Sequence, residues 1–313
     1  MTQSIQTFDS ARHIVDGFDL GSSERTGSFV LAEEKLTIIE TGPSISVPHI
    51  ISGLKKLGLT PEAVRNIIVT HIHLDHAGGC GLLLKHCPGA SVYVHEKGAR
   101  HLADPSRLVQ GARHVYQDSF DDLFSPVVPV PEEAINRVQD GDHLRIGPNC
   151  NLTFYDTPGH ANHHIGIYDE KTGTFYSGDT LGVRYPALAR SGLDLILPST
   201  SPNQFDPEKM INSASKVRKL KPGKIAFGHY GICNDTDSVF SQLSHWLDVF
   251  IHYGKKHYQA GDSYGDLRNS LLAEIKQYAE KYTELTDKDC RMLELDLSVS
   301  SMGLLDYLRK ADR

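Results

Sequence analysis

The chain has 313 residues, 39% of them apolar and 23% charged, which is enough for one large hydrophobic core or for a core with a smaller appendage. This composition excludes intrinsic disorder and collagen-like repeats. The formal charge of −7 and the scattered lysines and arginines argue against a broadly basic surface for nucleic acids.

The predicted elements of the first half alternate between strands and helices. Short apolar runs with β-branched residues predict strands, and the spacing of Val47, Ile50, Leu54 and Leu57 predicts an amphipathic helix. The alternation indicates an α/β layered architecture. In chain order, we predict strands at 28–32 and 36–39, a helix at 47–57, a strand at 67–69, a helix at 82–86 and a strand at 91–94.

Residues 99–135 break this rhythm with short helical patches and a cluster of prolines, which favours an inserted helical lid. The pattern becomes helical from about Val239 to the end of the chain. Between these regions we predict strands at 152–155, 166–168, 174–176 and 224–227.

The targeting signals and the cysteines bear on localisation. No stretch approaches the roughly 18 uncharged apolar residues of a membrane-spanning helix, and the first residues lack the basic and apolar regions of a signal peptide. We therefore expect a cytoplasmic protein with no membrane partner. The five cysteines form no C-x-x-C pair, so we expect reduced thiols and no cysteine zinc knuckle.

Histidine is unusually frequent, and one motif concentrates it. The segment His71-x-His73-x-Asp75-His76 directly follows a buried strand and places four side chains that can bind metal within six residues. A solvated turn would not explain this crowding, because imidazoles repel each other when they are protonated. The motif therefore predicts a metal site.

Three later segments repeat one design, in which an apolar strand leads through a glycine to a ligand-type side chain. They end at His160, Asp179 and His229. Because functional residues of layered α/β proteins gather at the ends of strands, we expect all seven side chains to share one pocket.

Seven nitrogen and oxygen ligands exceed what one tetrahedral ion uses, and they suit two ions that share a carboxylate and a hydroxide. We predict that His71, His73 and His160 bind one ion, that Asp75, His76 and His229 bind the other, and that Asp179 bridges them. A hydroxide that bridges the metals would be the nucleophile, oriented by Asp75 and Asp179. The expected ions are two divalent metals, zinc first, with iron or manganese as alternatives.

These residues resemble the signature of the metallo-β-lactamase superfamily: HxHxDH, then a histidine, an aspartate and a final histidine. All of its ligand positions are filled, and the resemblance spans about Phe29 to Gly231. It implies a four-layer αββα sandwich with the metals at one edge. We accordingly expect a catalytic domain at 1–238 that includes the lid, and a helical C-terminal extension at 239–313 packed on the same domain.

The branches of that superfamily suggest different activities. Secreted lactamases usually carry a signal peptide and a cysteine ligand near the position of Asp179, and this sequence shows neither. Flavodiiron reductases have a glutamate at the position of His73. Nucleases need a basic track for phosphates, which the scattered lysines and arginines do not form. The remaining group resembles glyoxalase II thioesterases and acyl-homoserine lactonases. This resemblance implies a hydrolase of small esters, thioesters or lactones, with no nucleic-acid partner. Gly182 replaces a tyrosine that lactonases often use, so Tyr185 is the substitute candidate for substrate binding.

Two alternatives and one expectation about assembly complete the predictions. The chain could be an oxidoreductase with a single iron, similar to the persulfide dioxygenases, or a regulatory protein with a vestigial metal site. Symmetric dimers are the commonest oligomers, so a homodimer is the expectation for assembly.

Overall fold

The computed structural model describes residues 5–312, and the chain there forms two compact units. The first unit consists of the chain up to Asp156, His163–Gly178 and Pro222–Asn234. The second unit consists of Thr157–Asn162, Asp179–Lys221 and the chain from Asp235.

The first unit contains two large β-sheets. Within the described residues one sheet has seven strands in chain order, antiparallel from β1 to β4 and parallel from β4 to β7. Its strands are β1 Ile5–Asp9, β2 Arg12–Asp16, β3 Gly27–Leu31, β4 Leu36–Ile39, β5 Val64–Ile68, β6 Ser91–His95 and β7 Ile135–Val138.

The second sheet has six strands in the described part of the chain. They are β8 His143–Gly147, β9 Cys150–Asp156, β10 Ile165–Asp169, β11 Thr174–Gly178, β14 Lys224–Phe227 and β15 Ile232–Cys233. Their order is β15-β14-β11-β10-β9-β8, and β11 and β14 are the parallel pair. Because β11 and β14 run in the same direction, their carboxyl ends lie at the same edge of the sheet.

The two sheets pack face to face through an apolar core. Ile14, Leu31 and Ile68 of the first sheet belong to the same buried cluster as Phe154 and Ile167 of the second. Neighbouring residues in the strands of the first sheet point to the opposite face, where they pack against helices. Both faces of the seven-stranded sheet are therefore buried. This burial explains why the apolar runs in its central strands are continuous rather than alternating.

Six α-helices belong to the first unit within the described residues. They are α1 Val47–Lys56, α2 Leu74–Ala77, α3 Cys80–Leu84, α4 Glu96–Ala103, α5 Ser106–Tyr116 and α6 Phe120–Phe124. Ile50 and Leu54 of α1, Leu83 of α3 and Leu102 of α4 share a buried cluster with the outer face of the seven-stranded sheet. The unit therefore contains a helix layer and two sheet layers.

The second unit is mainly helical. Its elements are β12 Val183–Arg184, α7 Pro186–Arg190, β13 Ile196–Leu197, α8 Pro207–Lys219, α9 Thr236–Ala260, α10 Tyr264–Ala279 and α11 Asp287–Ala311. Trp246 of α9 lies edge-on to Tyr278 of α10, with 5.2 Å between ring centroids. Both α10 and α11 begin at complete capping boxes, formed by Ser263 with Asp266 and by Thr286 with Asp289.

The mixed α/β class, the inserted short helices and the helical C-terminus are confirmed. The strands β1, β2, β7 and β8 and the helix α8 were not predicted. β7 begins at Ile135, at the end of the lid expected at about residues 99–135, and the bounds of the lid stay a prediction. The domain boundary at residue 238 stays a prediction. Between residues 5 and 312, no helix has the length and apolar character needed to cross a membrane.

Candidate metal centre

The HxHxDH segment begins in the turn after β5 and continues into the short helix α2. His71 and His76 are buried, whereas His73 and Asp75 are partly exposed. His73 has extended backbone angles and occupies the N-cap position of α2, so the helix begins inside the motif. The turn places His71 Nε2 only 3.1 Å from His73 Nδ1.

The hydroxyl of Thr70 contacts one ring nitrogen of His71, Nδ1, while the other, Nε2, faces His73. Thr70 Oγ1 lies 3.0 Å from His71 Nδ1 and can accept a hydrogen bond from it. His71 Nε2 then keeps its lone pair, which points toward His73 Nδ1. The distance fits a metal, because zinc–nitrogen bonds of about 2.0–2.1 Å in a tetrahedron separate the donor atoms by about 3.3 Å.

A second group of donors in the same unit consists of Asp75, His76 and His229. His229 follows β14, and its Nε2 lies 3.4 Å from Asp75 Oδ2, while His76 Nε2 lies 3.7 Å from the same oxygen. One ligand atom of each of the three residues lies within 4.8 Å of the others. These separations also fit ligands around one ion.

Gly228 is required where β14 approaches this group. A Cβ atom at position 228 would lie 2.7 Å from Cε1 of the His76 ring, a distance that real Cβ atoms essentially never show. The glycine before His229 therefore lets the backbone reach a crowded site, as the repeated strand–glycine–ligand design predicts.

Glu40 is a candidate functional residue that no sequence motif indicated. It follows β4 with a left-handed φ of 67°, which is uncommon for a residue other than glycine. Its Oε1 accepts a hydrogen bond from the Thr70 backbone N–H at 2.9 Å, and its Oε2 lies 2.9 Å from His76 Nδ1. A carboxylate in this position keeps the proton of His76 on Nδ1, which leaves Nε2 available to a metal.

Asp19 adds a buried carboxylate near the second group of donors. The residue is 2% exposed, and Asp19 Oδ2 lies 3.6 Å from Arg25 Nε. Burial is the main cause that raises the pKa of Asp19 to about 6; Arg25 opposes the shift, and the charge of Asp75 contributes to it. No sequence motif indicated this residue.

His160 and Asp179 lie together in the second unit. His160 Nδ1 donates to the Ser199 carbonyl oxygen at 3.0 Å, and His160 Nε2 lies 3.6 Å from Asp179 Oδ2. The Ser199 hydroxyl donates to Asp179 Oδ2 at 3.0 Å. The backbone and the side chain of Ser199 therefore orient both ligand candidates, and His160 Nε2 faces Asp179 and the Ser201 hydroxyl, which lies 3.4 Å away.

The structure thus brings the seven predicted ligands together in two groups, five in the first unit and two in the second. Tyr185, the predicted substrate contact, is 2% exposed, and its hydroxyl donates to Asp296 Oδ2 at 3.0 Å. His163 and His164 lie beside the motif, since their rings are 6.3 and 5.0 Å from the ring of His71. The roles of all these residues as ligands or substrate contacts stay predictions.

Comparison with protein families decides the ancestry. The family model described as the metallo-beta-lactamase superfamily matches residues 26–229, which include every ligand of the predicted signature. The chain belongs to the metallo-β-lactamase superfamily. The match agrees with the span expected from the motif.

Named relatives are distant. A metallo-beta-lactamase fold-containing protein of Sulfurisphaera tokodaii is 26% identical over 65% of this chain and 72% of its own. The uncharacterized protein YobT of Bacillus subtilis is 26% identical over 63% of this chain and 79% of its own. A hydroxyacylglutathione hydrolase of Salmonella typhi is 28% identical over 89% of this chain and 84% of its own.

Solved structures confirm the fold class. The archaeal superfamily protein ST1585 from Sulfolobus tokodaii superimposes with a TM-score of 0.63 at 20% identity, covering 90% of this chain and 93% of that protein. The family protein TTHA1429 from Thermus thermophilus also gives 0.63, at 17% identity over 98% of this chain and 92% of its own. The αββα metallo-β-lactamase fold predicted from the motif is therefore correct.

Proposed function

We propose that this protein is a binuclear metal-dependent hydrolase that cleaves an ester, thioester or lactone bond of a small molecule. The observation that carries the proposal is the number of donors in the first unit. His71, His73, Asp75, His76 and His229 offer five ligand atoms, which is more than the four positions of one tetrahedral ion. Membership of a superfamily rich in metallohydrolases and the distant hydroxyacylglutathione hydrolases support the same reaction class.

The donor chemistry fits two divalent ions. In the proposal His71, His73 and His160 hold one ion, Asp75, His76 and His229 hold the other, and Asp179 binds both. All these donors are imidazole nitrogens or carboxylate oxygens, which accept zinc, iron or manganese, with zinc the first expectation. When bound, the ions would activate a water as nucleophile and polarise the carbonyl of the substrate.

Hydrogen-bond acceptors beside the predicted ligands fix the position of the proton on two of the histidine rings. Glu40 holds the proton of His76 on Nδ1, and the Ser199 carbonyl holds the proton of His160 on Nδ1. The side chain of Asp75 is 23% exposed, so its carboxylate can accept a hydrogen bond from a water that enters from solvent. We propose that Asp75 and Asp179 orient that water toward the carbonyl carbon.

Elemental analysis combined with a substrate panel tests the proposal. The wild-type protein, an Asp179→Asn variant and an Asp118→Asn control are purified from medium that contains zinc, iron and manganese. Asp118 is an exposed aspartate of the insertion.

We expect two ions per wild-type chain and turnover of a thioester, an ester or a lactone. Asp179→Asn should lower turnover by more than about a hundredfold with unchanged folding. The loss should exceed that for a residue which only hydrogen-bonds to a ligand, because Asp179 is proposed to bind both ions itself. Asp118→Asn should match the wild type.

Three outcomes would overturn the proposal. One iron per chain with oxygen consumption on a persulfide would assign the protein to the dioxygenase type. Two ions with no turnover of any panel member would indicate a metal-binding protein without hydrolytic activity. Turnover of phosphodiesters alone would indicate a nuclease-type enzyme.

A further inference from the structure

An apolar cluster in the inserted helices lies next to the ligand turn. Three of its side chains are buried and six are partly exposed. We call this set the insertion cluster; it comprises Leu74, Leu108, Val109, Ala112, Tyr116, Phe120, Leu123, Phe124 and Val127. Leu74, Phe120 and Phe124 are the buried members, each no more than 3% exposed.

The helix α5 leaves its apolar face incompletely covered. Its sequence is amphipathic, and Leu108, Val109, Ala112 and Tyr116 lie on one stripe at helical spacing. A helix of this pattern usually buries the stripe, yet no residue of α5 is fully buried. Apolar area therefore remains available on this face, and covering it would be favourable because water would be released from it.

Leu74 connects this apolar surface to the metal ligands. It stands in the chain between His73 and Asp75, and it packs with Phe120 and Phe124. The insertion cluster therefore begins at the ligand turn itself. The ligand turn and the inserted helices are therefore packed together through this one side chain.

Polar contacts hold the insertion in place. Arg113 forms two hydrogen bonds with the Asp121 carboxylate, at 2.9 and 2.6 Å, and its guanidinium carbon lies 4.2 Å from the centre of the Phe120 ring. The Ser44 hydroxyl lies within hydrogen-bond distance of the carbonyl oxygens of Gly78 and Pro126. The incompletely covered face is thus presented by an anchored segment, in which Arg113 and Asp121 are paired with each other.

We propose that the insertion cluster binds the apolar acyl or aryl part of the substrate. This inference rests on the proposed hydrolase function and names the substrate class: esters or thioesters of medium-chain or aromatic acids. The direct connection through Leu74 favours a small-molecule substituent over a protein partner, because the carbonyl carbon must lie at the ligands while the rest of the acyl group needs an apolar surface beside them.

A chain-length series tests the assignment. The kcat/KM is measured for acetyl, butyryl, hexanoyl and octanoyl esters with the wild type, Val109→Ser, Leu123→Ser and Ile51→Ser. Ile51 is the matched control, because it is a partly exposed apolar residue of α1 that packs on the other helix-covered cluster. In the wild type, kcat/KM should rise about threefold per methylene while the chain covers apolar surface. The ratio of octanoyl to acetyl kcat/KM should fall about tenfold in Val109→Ser and Leu123→Ser and stay unchanged in Ile51→Ser.

A binding measurement separates failure of this inference from failure of the proposed function. The neutral dye N-phenyl-1-naphthylamine is titrated into metal-free protein, and octanol is used to displace it. If no ester is hydrolysed but Leu123→Ser weakens dye binding relative to Ile51→Ser, the hydrolase proposal fails and the apolar site stands. The inference would be overturned if Val109→Ser and Leu123→Ser changed neither the ratio of octanoyl to acetyl kcat/KM nor the affinity for the dye. Conversion of a wild-type dimer into a monomer by Leu123→Ser would assign the surface to a second copy of the chain and would also overturn it.

Discussion

At the scale of single residues, Glu40 shows how a strained backbone position can serve a metal ligand. Its left-handed φ of 67° carries a conformational cost, which persists only where the surroundings determine the residue's position. Here the carboxylate accepts from both the Thr70 N–H and the His76 ring, so each of its oxygens has one donor. The strain is therefore compensated by two hydrogen bonds, one of them to a predicted ligand.

Replacement of Glu40 by glutamine should weaken metal binding about 10- to 100-fold. Glutamine keeps the shape but offers one acceptor oxygen and one N–H₂ group, so it cannot accept from both Thr70 and His76. Either the Thr70 N–H loses its partner, or His76 moves its proton to Nε2 and blocks the ligand atom. Competition with a chromophoric chelator measures the affinity. Glu34→Gln, at an exposed glutamate, is the control and should bind as the wild type does. Equal affinities for Glu40→Gln and the wild type would contradict the role given to Glu40.

At the scale of elements, the loop that carries His160 depends on close packing with α8. Gly159 has a φ of 136°, and a Cβ atom there would lie 2.4 Å from the backbone nitrogen and Cα of Met210 in α8. The Ser213 hydroxyl of α8 donates to the Pro158 carbonyl oxygen at 2.6 Å, and the Asp206 N–H donates to the Gly159 carbonyl oxygen at 2.8 Å. The loop and the helix therefore position each other.

Gly159→Ala should destabilise the protein by about 2 kcal/mol or more and lower the activity, because the added methyl group meets backbone atoms that cannot rotate away. Thermal unfolding and the kcat/KM of the best ester are the measurements. Gly111→Ala is the control: Gly111 lies inside α5 with nothing within 4 Å of an added Cβ. That change should stabilise the helix by up to about 1 kcal/mol. A Gly159→Ala protein as stable as the wild type would show that α8 can shift without cost.

The elements also show what a sequence pattern can and cannot reveal. The apolar run before His71 predicted a buried strand that ends at the ligands, because burial on both faces leaves a continuous signal. Glu40 was missed because Glu40-Thr41-Gly42-Pro43 is typical of a turn, and nothing local shows that its carboxylate reaches a histidine 36 positions later. β1 and β2 were missed since their mixed polar sequences gain strand structure from pairing in the sheet.

At the scale of the whole molecule, the proposed ions should stabilise the folded chain, because they bind the native state and not the unfolded chain. An ion that binds the native state alone stabilises it by about 2.7 kcal/mol at a free concentration of 100 times Kd, which should raise Tm by about 4 °C in a chain of this size. Thermal unfolding is followed for chelator-treated protein with and without added zinc. Asp118→Asn should show the full increase, and Asp179→Asn a smaller one, because it lacks a ligand of the second unit. If zinc raised the Tm of Asp179→Asn as much as that of the wild type, Asp179 would not be a metal ligand, since linkage requires every residue that binds the ion to contribute to the stabilisation it brings.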